Sequence, residues 1–146
     1  MASDRVCAVV ITFNRKALLR ECLLALGPQL QPEDRILVVD NASTDGTSAL
    51  LETEFPTLER LSLPENIGGS GGFYEGMKWA FEKGFDFLWL MDDDGRPDPD
   101  CLAKLRAAGD SRTVAVPLQQ DSGGRMYGIS AWRQRVVDVT PDVVGQ

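Results

Sequence analysis

The chain has 146 residues, 43% apolar and 8% aromatic, a composition that suits one globular domain and argues against a disordered or membrane-embedded chain. Fifteen Lys and Arg against 22 Asp and Glu leave a net charge of −7, which disfavours nucleic acid and anionic membranes as partners. No histidine is present, so Ser-His and Cys-His couples and imidazole metal ligands are excluded, and acid-base work falls to carboxylates, Lys, Tyr or Cys.

From the amino end, Val6-Cys7-Ala8-Val9-Val10-Ile11 is a continuous, β-branched-rich run, the pattern of a strand buried on both faces. Thr12-Phe13-Asn14-Arg15 follows, and then Leu18, Leu19, Cys22, Leu23 and Leu26 recur at helical spacing until Gly27-Pro28 closes the segment. The cycle repeats with a strand at Ile36-Leu37-Val38-Val39 ending in Asp40, turn formers from Asn41 to Gly46, and a helix from Thr47 to Phe55. A third cycle is expected to place a strand at Leu58 to Leu63, a glycine-rich loop at Pro64 to Gly72, and a helix whose core face carries Phe73, Met77, Ala80 and Phe81. Phe85 to Met91 reads as a fourth strand running into Asp92-Asp93-Asp94-Gly95. Asp98-Pro99 then reads as an N-cap with proline at the first helical position. Thr113 to Pro117 reads as a fifth strand, Ser122-Gly123-Gly124 as a turn, and the valines at 136, 137, 139, 143 and 144 support at most a short strand or two.

Repeated βα units require an α/β fold, a mostly parallel sheet with helices on both faces, because parallel strands are joined by crossovers. Cysteines 7, 22 and 101 are odd in number and widely spaced, which disfavours a disulfide framework or a zinc ribbon and fits reduced thiols in the cytoplasm. No apolar run approaches the roughly 18 residues of a membrane helix, and no signal-peptide pattern opens the chain.

Ligands of an open parallel sheet bind beyond the carboxyl ends of its strands. Four polar clusters fall there: Thr12 to Arg15, Asp40 to Ser43, Asn66 to Gly72 and Asp92 to Asp94. Three consecutive carboxylates repel one another, a cost that a hard cation such as Mg²⁺ or Mn²⁺ relieves with help from phosphate oxygens and water. Alternation along an extended segment would let Asp92 and Asp94 face one site; the competing reading is an acidic turn at Asp94-Gly95. The segment Asn66 to Gly72 holds four glycines in seven residues and precedes a helix, a combination that lets backbone amides approach a diphosphate. It is neither a GxGxxG fingerprint nor a P-loop. Asp40 suits a base or ribose, or equally an Asx-turn with the residues after it.

Val9-Val10-Ile11-Thr12-Phe13-Asn14-Arg15, Val38 to Thr47, Asn66 to Phe73 and Trp89-Leu90-Met91-Asp92-Asp93-Asp94, taken in order, resemble the inverting family 2 glycosyltransferases of the GT-A fold over roughly the first 117 residues. The Asn-x-Gly-Gly-x-Gly-Gly-Phe segment and the triple Asp are similar to the bacterial rhamnosyl- and galactofuranosyltransferase branch. The resemblance implies a Rossmann-like nucleotide-sugar-binding core over 1–117 and the start of an acceptor-side region over 118–146. It implies that Thr12, Asn14 and Asp40 line the nucleoside pocket, that Asn66, Gly68, Gly69, Gly71 and Gly72 border the sugar nucleotide, and that Phe13, Arg15 and Asn41 belong to the same site. Asp92, Asp93 and Asp94 would form the DxD-type element, with Asp94 on the metal, Mn²⁺ or Mg²⁺, and Asp92 on the ribose or on the metal through water.

The implied partners are a UDP- or dTDP-linked sugar donor and a glycan or lipid-linked glycan acceptor, in bacterial envelope or polysaccharide synthesis, in the cytoplasm or at the inner membrane face. The family's base lies beyond the DxD strand. Among Asp121, Asp138 and Asp142 none sits in a recognisable base motif, so the catalytic base is unassigned and a donor-binding part of a longer enzyme is expected. The alternative is a non-catalytic nucleotide-binding module of the same descent. A phosphotransferase with an Asp nucleophile and a Rossmann oxidoreductase are disfavoured because the loop after the first strand is Thr12-Phe13-Asn14-Arg15.

Overall fold

A computed structural model describes residues 4–110, 112, 114, 115, 117, 119–124, 126 and 127. It divides into two compact units, 1–99 and 100–146.

The first unit is a four-stranded parallel sheet in the order β3-β2-β1-β4, built from β1 (Val6–Thr12), β2 (Arg35–Asp40), β3 (Glu59–Ser62) and β4 (Phe87–Asp92). Strand β1 is buried along its whole length, as its uninterrupted apolar run requires. Helices α1 (Lys16–Leu26) and α2 (Thr47–Glu54) follow β1 and β2, and α3 (Gly68–Glu82) follows β3. The strand period of two sorts the sheet residues. Cys7, Val9, Ile11, Leu37 and Val39 form one core face with Ala80 of α3. The alternate positions point the other way, where Cys22 of α1 lies 3.7 Å from Met91, the partner of Val10 in the sheet. Burial pushes the Cys7 and Cys22 thiols up to about 12, Asp93 and Asp94 adding to the effect at Cys22, so both stay neutral and unreactive at physiological pH.

Four expectations are corrected. The glycine-rich segment is not a loop through Gly72: α3 begins at Gly68, and the connection from β3 is correspondingly short. Poor helix propensity is overridden by hydrogen bonds at the helix start, where the Gly68 amide donates to Asn66 Oδ1 at 2.8 Å and Asn41 Nδ2 donates to the Gly68 carbonyl at 3.1 Å. Of the expected core face of α3, Ala80 is buried and Phe73 packs against the core, but Phe81 is 81% exposed and Met77 lies at the surface, and the buried places are shared with Gly72 and Gly76. Large side chains define a periodicity, but close approach of helix to sheet selects small ones. The third correction concerns the second unit, where Asp100, not Asp98, takes the N-cap position of α4 (Cys101–Ala108); its side chain makes no capping hydrogen bond and pairs with Lys104 one turn on. There Val114, Ala115 and Pro117 carry no strand. Val114 is 88% exposed, so its β-branched side chain gains no burial that would hold a strand. Instead β5 (Gln119–Gln120) pairs antiparallel with β6 (Met126–Tyr127) around the expected turn. Thr113, Val116, Asp138, Asp142 and the five C-terminal valines lie outside the described residues.

A Cβ at Gly76 would sit 2.5 Å from Val9 Cγ1 and 3.0 Å from Val39 Cγ2. Valine branches cannot swing away, so Gly76→Ala is expected to lose about 1–3 kcal/mol of stability in urea unfolding, despite alanine's better helix propensity. An unchanged midpoint would contradict this packing.

Candidate active site

The ends of β1, β2 and β4 and the start of α3 bring the four polar clusters to one rim of the sheet. Register explains how the triple Asp divides. Ile11 pairs with Asp92, so Asp92 falls on the face that carries α3. Thr12 and Asp93 fall one position further on, toward the other face. There the Thr12 hydroxyl donates to Asp93 Oδ2 at 2.8 Å. Asp93 is buried, its side chain only 4% exposed. A buried carboxylate needs such donors, and Arg15 supplies a second one with Nη1 3.4 Å from Asp93 Oδ1. Arg15 also lies 3.5 Å from Asp94 Oδ2, and Asp94 is exposed.

After Asp92 the chain turns rather than continuing extended: the Gly95 amide donates to the Asp92 carbonyl at 3.0 Å. The segment is a turn, and Asp92 and Asp94 both reach solvent. Partial burial and the charges of Asp94 and Asp93 push the Asp92 carboxyl above its ordinary value, with Arg15 offsetting part of the shift.

The other predicted residues mostly brace the loops against one another. Asp40 is buried, and its Oδ1 accepts the Ser43 amide at 2.9 Å in an Asx-turn. Asn14 stands in the left-handed region at φ 52°, its amide donating to Ser43 Oγ and its Oδ1 accepting the Thr44 amide at 2.7 Å. Ala42 is left-handed too, at φ 63°, which costs about 1–2 kcal/mol for a residue with a Cβ. Asn41 is buried, its amide donating to the Thr12 carbonyl and its side chain holding the start of α3 through Ile67 and Gly68. Phe13 is 43% exposed, and Gly68 and Gly69 are exposed at the amino end of α3. Gly71 and Gly72 lie inside the helix, and a Cβ on Gly72 would crowd Asn41 and Ile11.

Sequence reasoning did not single out Asp45. Its Oδ2 accepts the Lys16 amide at 2.8 Å, and its Oδ1 accepts the Thr47 hydroxyl and amide, so one side chain ties together the starts of α1 and α2. Slight burial pushes the Asp45 carboxyl up, but these donors outweigh it and hold the carboxyl below its ordinary value. The signal was there in the turn formers from Asn41 to Gly46.

Among the described residues no group of three His, Cys, Asp or Glu side chains is arranged to enclose a metal ion. The inward turn of Asp93 is the reason at this site. The exposed Asp92 and Asp94 are hard oxygen donors that suit Mg²⁺ or Mn²⁺ when phosphate oxygens and water complete the shell. A concavity of about 140 Å³ lined by Arg5, Arg35, Glu59, Trp79, Lys83 and Phe85 opens at the opposite, amino-terminal ends of the strands, away from these carboxylates.

A parallel α/β sheet with helices on both faces and its polar loops at the strand ends is the GT-A arrangement. The model for Glycosyl transferase family 2 matches residues 7–138, and the chain belongs to that family. It is 38% identical over 114 residues to Galactofuranosyltransferase GlfT1 of Mycolicibacterium smegmatis, covering 77% of this chain and 38% of that protein. Among solved structures it is similar to S. aureus TarS in complex with UDP, with a TM-score of 0.62 and 27% identity over 70% of this chain and 31% of the other. It is also similar to the mannosyltransferase PcManGT from Pyrobaculum calidifontis in complex with GDP-Man and Mn²⁺, with a TM-score of 0.54 and 27% identity over 67% of this chain and 30% of the other. The chain thus spans less than half the length of each of these three proteins. No helix among the described residues is long and apolar enough to cross a membrane.

Thr12→Val removes the hydroxyl and keeps the volume, leaving a buried oxygen of Asp93 without its donor. A loss of about 1–3 kcal/mol in denaturant unfolding is expected, with Thr12→Ser losing less. Equal stability of Thr12→Val and the parent would remove the brace from the account.

Proposed function

We propose that this chain is the donor-binding part of an inverting glycosyltransferase that takes a UDP- or dTDP-linked sugar and passes it to an acceptor hydroxyl. The observation that carries the reading is the division of the acidic turn. Asp93 is consumed inside by Thr12 and Arg15, while Asp92 and Asp94 stand exposed at the rim shared with Asp40 and the amino end of α3. The UDP and GDP-Man-Mn²⁺ complexes of similar proteins support the same reading.

In this reading Asp40, Thr12 and Asn14 form the floor of the nucleoside pocket, Asp40 keeping its Asx-turn while facing the base. Phe13 offers an exposed ring at its edge, and Asn41 and Asn66 fix the start of α3 so that Gly68 and Gly69 can approach the diphosphate without a Cβ in the way. Gly71 and Gly72 contribute by letting the helix seat closely. Asp94 would hold Mn²⁺ or Mg²⁺, with Asp92 addressing the ribose or the ion through water. The ion supplies neutralisation of the charge that gathers on the departing nucleoside diphosphate. The acceptor hydroxyl attacks the anomeric carbon from the face opposite the diphosphate, which inverts the centre, and the base that takes its proton is assigned to no residue of this chain. Residues 1–117 carry the donor site and 118–146 begin the acceptor side. The acceptor is a glycan or lipid-linked glycan of bacterial envelope synthesis, reached in the cytoplasm or at the inner membrane face.

Calorimetric titration of UDP and dTDP, with and without Mn²⁺, tests the reading. One nucleotide is expected to bind in a metal-dependent way, and Asp94→Asn to weaken that binding about tenfold or more. Binding indifferent to metal and to Asp94→Asn contradicts the site. With a sugar donor and acceptor added, retained binding without transfer points to a nucleotide-binding module instead.

A further inference from the structure

Arg15 occupies the N-cap of α1 with a backbone that is neither helical nor extended, φ −133° and ψ 44°. From there its guanidinium spans two unlike carboxylates. Asp93, at 3.4 Å, is buried and fixed by Thr12; Asp94, at 3.5 Å, is 56% exposed. The Arg15 side chain is itself 54% exposed, so it keeps N–H groups open to solvent beside the exposed carboxylates. Further along α1, Arg20 pairs with Glu54.

We propose that Arg15 is a resident counter-ion for the acidic turn, one that releases Asp94 when the metal-nucleotide complex arrives and turns to the diphosphate while its contact with Asp93 keeps it in place. This rests on the donor-binding reading above. Charge alone makes the exchange reasonable. Asp92, Asp93 and Asp94 carry three negative charges against the one positive charge of Arg15. A dication at Asp94 brings this set to neutrality with Arg15 counted once; the diphosphate then adds new negative charge, which draws the N–H groups of Arg15 that Asp94 no longer occupies. A guanidinium suits that task because its fixed fork can contact a carboxylate and a phosphate at once. The contact to Asp93 is the anchor and the contact to Asp94 is the one that can be exchanged, as their burial dictates.

The two ligands should therefore respond in opposite directions. Removing Arg15 takes away a competitor of the bare metal and a partner of the nucleotide. Mn²⁺ alone, followed by electron paramagnetic resonance on the full chain, is expected to bind Arg15→Gln roughly threefold tighter than the parent. UDP at saturating Mn²⁺, followed by calorimetry, is expected to bind roughly tenfold weaker. Arg15→Lys, which keeps the charge but not the fork, should fall between the two for both ligands. A purely structural role would weaken both ligands together, and that result, or no change in either, overturns the proposal. If the parent binds UDP with Mn²⁺ and Arg15→Gln matches it for both ligands, the donor site stands and the role of Arg15 falls. If the parent itself fails to bind UDP or dTDP with Mn²⁺, both readings fall.

Discussion

The hydrogen bond from Thr12 to the buried carboxylate of Asp93 is the contact on which the rest of the rim depends. Three adjacent carboxylates at the end of a strand have no stable arrangement in which all behave alike. Burying one requires donors that stay in place, and exposing all three concentrates charge. The chain resolves this through register. Strand period places Thr12 and Asp93 together on one side of the sheet while Asp92 falls on the other, and the turn closed by Gly95 brings Asp94 back to the surface. A single slip between β1 and β4 would exchange the inward and outward acids.

Around that contact the loops brace one another instead of resting on the sheet alone. Asn14 locks onto Ser43 and Thr44, Asp45 onto the starts of α1 and α2, and Asn41 onto the end of β1 and the start of α3. Two left-handed residues, Asn14 and Ala42, sit at the bends of this lattice. Strain concentrated at the rim proposed to receive the nucleotide, where the neighbouring hydrogen bonds hold it, suits a site shaped before its ligand arrives. The residues that sequence pattern marks as ligand-binding thus fall into braces such as Asn14, Asn41 and Asp93, and presented groups such as Phe13, Arg15, Asp92 and Asp94.

The strands were legible because burial on both faces leaves an unmistakable run, as in Val6 to Ile11 and Ile36 to Val39. Helix α3 was harder. Its fully buried positions are glycine and alanine, residues that periodicity scores as silent; Phe73 packs against the core as expected, while Phe81 points to solvent. Val114, Ala115 and Pro117 show the reverse case, since the β-branched run suggests a strand but Val114 finds no burial. At the rim, the four clusters could be placed from strand order alone. Which acid turns inward could not, because it depends on the pairing of β1 with β4 across about 80 residues of sequence.

The central claim is that the carboxyl ends of the strands, and not the concavity at their amino ends, receive the nucleotide. Amide chemical shifts of the labelled chain, recorded as UDP or dTDP is added with Mg²⁺, test it most directly. Perturbations are predicted at Thr12 to Arg15, Asp40 to Ser43, Asn66 to Gly69 and Asp92 to Gly95. Shifts confined instead to Arg5, Arg35, Trp79, Lys83 and Phe85 would contradict it.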